Sequence, residues 1–305
     1  MIENSFWKDK RVLITGHTGF KGSWLLLWLI TLGAKVYCYS LKPYEERNLY
    51  LNLFKNNNNF QFEEKFADIR DEESLSKWIN YSQPEIVFHL AAQPLVRESY
   101  LEPLYTWDVN LIGSYKLLEC LKILENKCSI LVVTTDKVYL NREQIYNYKE
   151  DDELGGSDPY SASKAALEIA ISSWRESFCG NQYHQNGALR IATARSGNVI
   201  GGGDWSKDRI IPDIVSSLLD QRTILVRNPL STRPWQHVLE PLNGYLKLAM
   251  YLYNANDAKC EAYNFGPSLQ NNKSVKDLVE EVIKCWPGTW TKDADVASFH
   301  ESKLL

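Results

Sequence analysis

Three segments carry side chains that can move protons or grip phosphates. Thr134-Thr135-Asp136-Lys137-Val138-Tyr139 sets hydroxyls, a carboxylate and an ammonium side by side, directly after the apolar run "ILVV". A strand ending this way offers both an acid and a base to one reacting molecule. In "DPYSASKAALEIA", Tyr160 and Lys164 are four positions apart, on one face of a helix that Asp158 can cap and Pro159 can start. An ammonium beside a phenol favours the phenolate, so Lys164 is expected to lower the Tyr160 pKa from roughly 10 and make it a base for an alcohol proton. Gly16, Gly19 and Gly22 are spaced G-x-x-G-x-x-G, with Thr18, Phe20 and Lys21 among them. That spacing lets backbone N–H groups approach a pyrophosphate at a helix N-terminus. Each pattern is weak alone. A glycine-rich turn can be empty, and a Tyr/Lys pair is common on amphipathic helices. Together, with Thr135 at a strand end, they point to one site.

The elements that must position these groups alternate. "RVLIT" is a strand that ends in the glycine-rich turn, and "SWLLLWLITLGA" is a helix closed by Gly33. "KVYCYS" is a second strand, "LKPYEERNLYLNLF" is irregular, and the asparagine tract at 56–59 is a surface loop. "FQFEEKFADI" ends a third strand at Asp68, followed by the acid-started helix "RDEESLSKWINYSQ". "EIVFHLAA" and "SILVVTT" are the fourth and fifth strands, joined by one long helix, "TWDVNLIGSYKLLECLKILE". Strands this uniformly apolar belong to a parallel sheet covered on both faces, a doubly wound α/β (Rossmann-like) dinucleotide fold. After residue 195 the texture turns to Gly, Pro, Trp and charge, as expected of a smaller, C-terminal substrate-binding portion. "QHVLEPLNGYLKLAMYLY" returns to strand and helix. The expected division is therefore discontinuous, with 1–197 plus about 234–258 in the dinucleotide domain and about 198–233 plus 259–305 in the other.

A net charge of −4 gives no reason to expect nucleic acid or an acidic membrane as partner, so bound anions must be held by local groups. The six cysteines form no C-x-x-C pair and no metal-ligand spacing, and they suit a reducing compartment. "MIENSFWKDKR" is too polar for a secretory signal, and a cytoplasmic protein is expected. NAD sites usually place an acid at the end of the second strand. Here "CYSLKP" has none, and Lys42 could favour a 2′-phosphate, so these residues leave NAD and NADP both open.

"ITGHTGFKGSWL", "ADIRD", "VFHLAAQPLVRESY", "TTDKVY", "DPYSASKAALE", "ARSGNVIGGGDW" and "RPWQHVLEPLNGYL" together resemble the extended short-chain dehydrogenase/reductase family. Within it the likeness is to the nucleotide-sugar 4,6-dehydratases, in the branch that acts on CDP-glucose. The resemblance implies NAD as cofactor, a homodimer through helices including 100–125 and 160–178, and a hydro-lyase reaction of deoxysugar biosynthesis. It assigns Tyr160 as base for the 4-hydroxyl, Lys164 to tune it, and Thr135 to hydrogen-bond the sugar oxygen. Asp136 would protonate the departing C6 oxygen, which requires burial to keep its carboxyl protonated. Most related dehydratases carry a glutamate next, as base for the C5 proton. Here Lys137 stands in that place. Asp68 and Ile69 resemble adenine contacts, and Ala91, Ala92 and Gln93 line the cofactor side of the fourth strand. Asn110 is read as structural. Asn198, Arg209 and Arg233 would hold the diphosphate, since an arginine fork matches phosphate oxygens, with Arg97 and His237 as further contacts. Trp205 and Trp235 would stack on a base or pack.

Family members usually continue past "SFHESKLL", where this chain stops, so the substrate portion is expected to be short at its C-terminus. Two rivals remain. An epimerase or 4-ketoreductase would keep Tyr160 and Lys164 but has no use for Asp136-Lys137. A non-catalytic NAD or nucleotide-sugar sensor has no need for an intact Thr135, Tyr160 and Lys164.

Overall fold

A computed structural model of the chain describes residues 4–43, 47–55, 57, 59–144, 146–179, 189–255, 259–267 and 272–293. In chain order the first half runs α1 (Asn4–Trp7), β1 (Arg11–Thr15), α2 (Phe20–Thr31), β2 (Lys35–Ser40), α3 (Leu49–Phe54), β3 (Glu63–Phe66), α4 (Glu72–Ser82), β4 (Ile86–His89), α5 (Val96–Leu101), α6 (Pro103–Trp107), a π-helical turn (Asp108–Gly113), α7 (Ser114–Leu121) and β5 (Cys128–Val133). A 3-10 turn (Asp136–Val138) leads on to α8 (Pro159–Phe178), β6 (Leu189–Ser196), β7 (Val199–Ile200), α9 (Ile210–Leu219), β8 (Ile224–Val226), β9 (Thr232–Pro234), β10 (Gln236–His237), α10 (Leu239–Asn254), β11 (Ala262–Phe265), β12 (Asn272–Ser274), α11 (Val275–Cys285) and β13 (Trp290–Lys292).

Seven strands form one sheet in the order β11-β6-β5-β4-β1-β2-β3, parallel throughout. This is the doubly wound α/β fold expected of apolar strands separated by helices, and its order reverses between β1 and β4. Leu25, Leu26 and Leu29 of α2 and Leu242, Tyr245 and Leu246 of α10 pack in one core layer. Leu75 and Ile79 of α4, Leu117 of α7 and Leu167 and Ile171 of α8 pack in another. A separate small core joins Ile214 and Leu218 of α9 to Ile224, Val226 and Val279. Among the described residues no helix is long and apolar enough to cross a membrane.

Three local expectations are corrected. The stretch before the asparagine tract, read as irregular, contains α3, started by Asn48, whose side chain accepts from the Leu51 N–H. Positions 56 and 58 of the tract lie outside the described residues. The long helix after β4 is broken by the π-helical turn, where Asn110 turns inward and Gly113 lies so close to Ile69 that a Cβ would stand 2.7 Å from its Cγ2. Single π turns of this kind gather at functional sites. Finally, residues from 259 were expected in the smaller portion, yet β11 pairs with β6 as an edge strand of the main sheet.

Candidate active site

Strand β5 is buried along its whole length and ends at the carboxyl edge of the sheet, close to the switch point where such folds bind ligands. The chain leaves it through Thr134, whose N–H donates to the Ala194 carbonyl at 2.9 Å and whose hydroxyl donates to Glu168 Oε1 at 2.5 Å. Thr135 then starts the 3-10 turn, its Oγ1 accepting from the Lys137 N–H at 3.4 Å. The same hydroxyl donates to Asp136 Oδ1 at 3.1 Å, and Lys137 Nζ reaches that oxygen at 3.1 Å and Asn198 Oδ1 at 3.5 Å. Hydroxyl, carboxylate and ammonium thus meet at one oxygen. Asp136 Oδ2 is buried with no hydrogen-bond partner, against Gly197, where a Cβ would come within 2.5 Å of it.

Facing this turn is α8. Asp158 caps it in a capping box with Ser161, and Pro159 takes the first helical position. Tyr160, Lys164 and Glu168, four apart, all lie on its buried face. Burial pushes the Tyr160 phenol up to about 12, while a hydrogen bond with Thr135 and the Arg209 charge pull the other way. Burial thus leaves the Tyr160 phenol raised overall, where a lowered one was expected from Lys164 beside it. The Lys164 ammonium bonds the Val133 carbonyl at 3.3 Å, and desolvation of the phenol outweighs the charges nearby. Lys164 is itself lowered to about 8 by burial, opposed by Glu168. Asp136 is divided between two settings: Oδ2 is buried and Oδ1 is ion-paired, in a side chain 23% exposed.

Beside the glycine turn, Lys21 extends to Ser196 Oγ at 2.7 Å, and Ser196 meets the Tyr245 hydroxyl at 2.7 Å. Burial, then the Arg209 charge, lowers Lys21 to about 7, while Asp136 opposes them. Behind the 3-10 turn lies an ion pair that the sequence reading missed. Arg195 Nη2 donates to Glu168 Oε2 at 2.9 Å and its Nη1 to the Tyr139 hydroxyl at 2.8 Å, with both charged side chains almost fully buried. The signal for Glu168 was present as the next step of the Tyr160, Lys164 period.

A cleft of about 790 Å³ collects these groups, a volume toward the upper end of small-molecule sites. It is lined by Gly16, Thr18, Gly19, Phe20, Lys21 and Gly22, by Asp68, Ile69, Ala91 and Ala92, and by Thr135, Asp136, Lys137, Tyr160 and Lys164. Arg97, Asn198, Arg209, Arg233, Trp205 and Trp235 line it as well. The structure leaves two expected residues out. His237 is exposed on β10, outside the cleft lining, where its Nδ1 accepts from the Leu239 N–H at 3.3 Å. Gln93 is buried and turned inward, its side chain donating to Thr106 Oγ1 at 2.8 Å and accepting from the Leu95 N–H at 2.6 Å. Asn110 braces that turn, accepting from the Gln93 N–H at 2.8 Å and donating to Ser163 Oγ at 3.0 Å. On the far wall, Arg209 pairs with Asp204 at 3.0 Å, and Arg97 and Arg227 share Asp208 at 2.9 and 3.3 Å.

Comparison with known proteins bears on the same residues. The family model described as GDP-mannose 4,6 dehydratase matches residues 13–289. The CDP-glucose 4,6-dehydratase of Salmonella typhimurium is 44% identical over 297 residues, 97% of this chain and 82% of the relative. Among solved structures, the dTDP-glucose 4,6-dehydratase of Streptomyces venezuelae with NAD bound has a TM-score of 0.77 at 22% identity, over 93% of this chain and 84% of that one. The UDP-N-acetylglucosamine 4-epimerase of Methanobrevibacter ruminantium, in complex with UDP-N-acetylmuramic acid, has a TM-score of 0.79 at 24% identity, over 97% and 88%. At such identities the two structures speak for the fold alone, which dehydratases and epimerases share. With the family match running through both walls of the cleft, the chain belongs to the GDP-mannose 4,6-dehydratase family of extended short-chain dehydrogenase/reductases.

Proposed function

We propose that the chain is an NAD-dependent CDP-glucose 4,6-dehydratase, a hydro-lyase that forms CDP-4-keto-6-deoxyglucose. The observation that carries this reading is the acid–amine pair, Asp136 and Lys137 at 3.1 Å, placed on the same strand end as Thr135 and in the same cleft as Tyr160. An epimerase gives it no task, whereas a dehydratase must expel the C6 oxygen and move the C5 proton.

The first turn of the sheet fits a dinucleotide. Gly16 has φ +77°, where a Cβ would stand 2.7 Å from the Ala91 nitrogen, and a Cβ on Gly22 would overlap the Gly16 carbonyl. Only bare backbone suits so tight a turn, and it leaves N–H groups open to a pyrophosphate. In this reading residues 16 and 18–22 hold the pyrophosphate, Asp68 and Ile69 meet the adenine, and Ala91 and Ala92 flank the cofactor. NAD, when bound, supplies the acceptor that takes a hydride from C4 and returns it at C6. The protein's own groups do the rest. Tyr160 accepts the 4-hydroxyl proton, Thr135 orients that oxygen, and Lys164 holds its charge close by. Asp136 protonates the departing C6 oxygen and Lys137 takes the C5 proton. Asn198, Arg209 and Arg233 grip the diphosphate, with Arg97 at the edge.

We also infer a cytoplasmic homodimer. Leu101, Leu104, Ile112 and Ile169 stand exposed on the helical segments 96–121 and 159–178, an apolar surface suited to a second copy. The decisive experiment offers CDP-, dTDP- and GDP-glucose side by side and reads the alkali-induced absorbance of a 4-keto sugar. Product from CDP-glucose alone is expected. Its absence would end the proposal.

A further inference from the structure

The groups proposed for the reaction belong to two separate pieces of chain. Tyr160 and Lys164 ride on α8, whereas Thr135 caps, and Asp136 and Lys137 occupy, the 3-10 turn after β5. Oxidation at C4 and elimination across C5 and C6 act on one hexose, so the two pieces must keep a fixed register. A 3-10 turn of three residues has poor hydrogen-bond geometry and does not hold such a register by itself. What holds it lies behind it, in the buried Glu168–Arg195 pair. Glu168 is one helical step beyond Lys164 on the same buried face of α8. Its Oε1 accepts from Thr134 Oγ1 at 2.5 Å, at the residue that leads into the capped turn. Its Oε2 accepts from Thr193 Oγ1 at 2.7 Å and Arg195 Nη2 at 2.9 Å, both on β6. Arg195 Nη1 then donates to the hydroxyl of Tyr139, the residue that closes the turn, at 2.8 Å. That hydroxyl donates onward to Asn264 Oδ1 of β11 at 2.6 Å. Between the two anchored ends, Val138 packs in one small buried cluster with Ala165 of α8. One ion pair thus reaches the entry and the exit of the turn from the helix that carries the phenol.

We infer that Glu168 and Arg195 are positioning residues for the elimination: they clamp both ends of the turn to α8, and so hold Asp136 and Lys137 at the same sugar that Tyr160 and Lys164 serve. This rests on the dehydratase reading. Apolar side chains of the same volume would stabilise a fold about as well as a buried ion pair does. They could not fix the direction of two hydroxyls, as this carboxylate and guanidinium do through charge-assisted hydrogen bonds. The clamp works through side chains at both ends. When the Thr134 hydroxyl is removed, the Thr134 N–H still donates to the Ala194 carbonyl at 2.9 Å, so the strand end stays seated in the sheet. When the Tyr139 hydroxyl is removed, Arg195 Nη1 still has the Glu150 carbonyl at 3.0 Å, so the ion pair stays seated as well. In either case the turn gains freedom while α8 keeps its place. The elimination, which needs Asp136 and Lys137 in register with the sugar, is the half of the reaction that suffers.

The test reads the two halves of a single turnover. Holoenzyme in excess is mixed rapidly with CDP-glucose, and nicotinamide absorbance is followed as it rises on oxidation at C4 and falls when hydride is returned at C6, after the elimination. Thr134→Val and Tyr139→Phe each remove one hydroxyl and free one end of the turn. Glu168 itself is left in place, because its charge also opposes the burial of Lys164. Each variant is expected to slow the fall about 10–100-fold, the scale of loss when reacting groups move by an ångström, with the rise close to wild type. Thr134→Ser, which keeps the hydroxyl, should restore the fall. A purely structural role would lower the amplitude by loss of folded enzyme and leave both rate constants alone. An unchanged fall in the Thr134→Val/Tyr139→Phe double variant would overturn the clamp, and so would a rise and a fall slowed by equal factors. A wild type that makes no 4-keto-6-deoxy sugar from CDP-glucose would instead sink the dehydratase reading on which the clamp rests.

Discussion

On one wall of the cleft, Tyr160, Lys164 and Glu168 ride on a 20-residue helix against a fully buried strand, with their hydrogen bonds closed inside the protein. On the other wall, Arg97, Arg209 and Arg227 stand on short or irregular elements, 20 to 35% exposed, each with an acid as partner. The difference follows the work that the proposed dehydratase reaction assigns to each wall. Proton transfer fails when atoms are misplaced by an ångström, so its groups belong on rigid, dry elements. A diphosphate is held by charge through several arginines, which tolerate movement and can exchange an acid partner for a phosphate. The catalytic wall should therefore be brittle and the binding wall forgiving.

The sharpest break is Tyr160→Phe, which removes only a hydroxyl. The expected loss in kcat is about 10²–10⁴-fold with the fold intact, checked by steady-state rates beside circular dichroism. Next is Arg195→Met, which strands the Glu168 charge beneath the catalytic turn. A loss of about 3–5 kcal/mol in unfolding free energy is expected from denaturant titration. A value typical of a surface pair would erase the contrast between the walls.

Lys21 offers a subtler probe through pH. Held at about 7 in the fold against 10.5 in the unfolded chain, it binds its proton less readily when folded. Between those values the unfolded state carries the extra proton, so this group's contribution to stability rises with pH across that window and is level outside it. Wild type should thus gain on Lys21→Met between pH 7 and 10.5 when denaturant midpoints are compared; a gap that stays constant would show that the buried amine does not titrate there. The smallest effect is expected on the forgiving wall. Asp208→Asn loosens the links to Arg97 and Arg227 together, yet should shift stability by less than about 1 kcal/mol.

Much of this architecture was legible from local pattern. Apolar runs, glycine spacing and the Asp158-Pro159 helix start are short-range signals, and they sufficed for the parallel sheet, the first turn and the face shared by Tyr160 and Lys164. His237 and Gln93 went astray for one reason. Resemblance assigns a residue to a site, whereas the side-chain direction is set by neighbours distant in sequence, here the Leu239 N–H for one and Thr106 for the other. Strand β11 was missed because a four-residue, half-buried edge strand has almost no signal of its own.

The sequence alone determined which chemical groups are present and which of them share an element, because strand and helix periods are local properties of the backbone. Only the tertiary structure decided their protonation and their partners. Desolvation raises the Tyr160 phenol and lowers Lys21 and Lys164, and Arg195 reaches Glu168 from another strand. These effects depend on what lies within a few ångströms in space, and folding brings to that distance residues that the chain order keeps far apart.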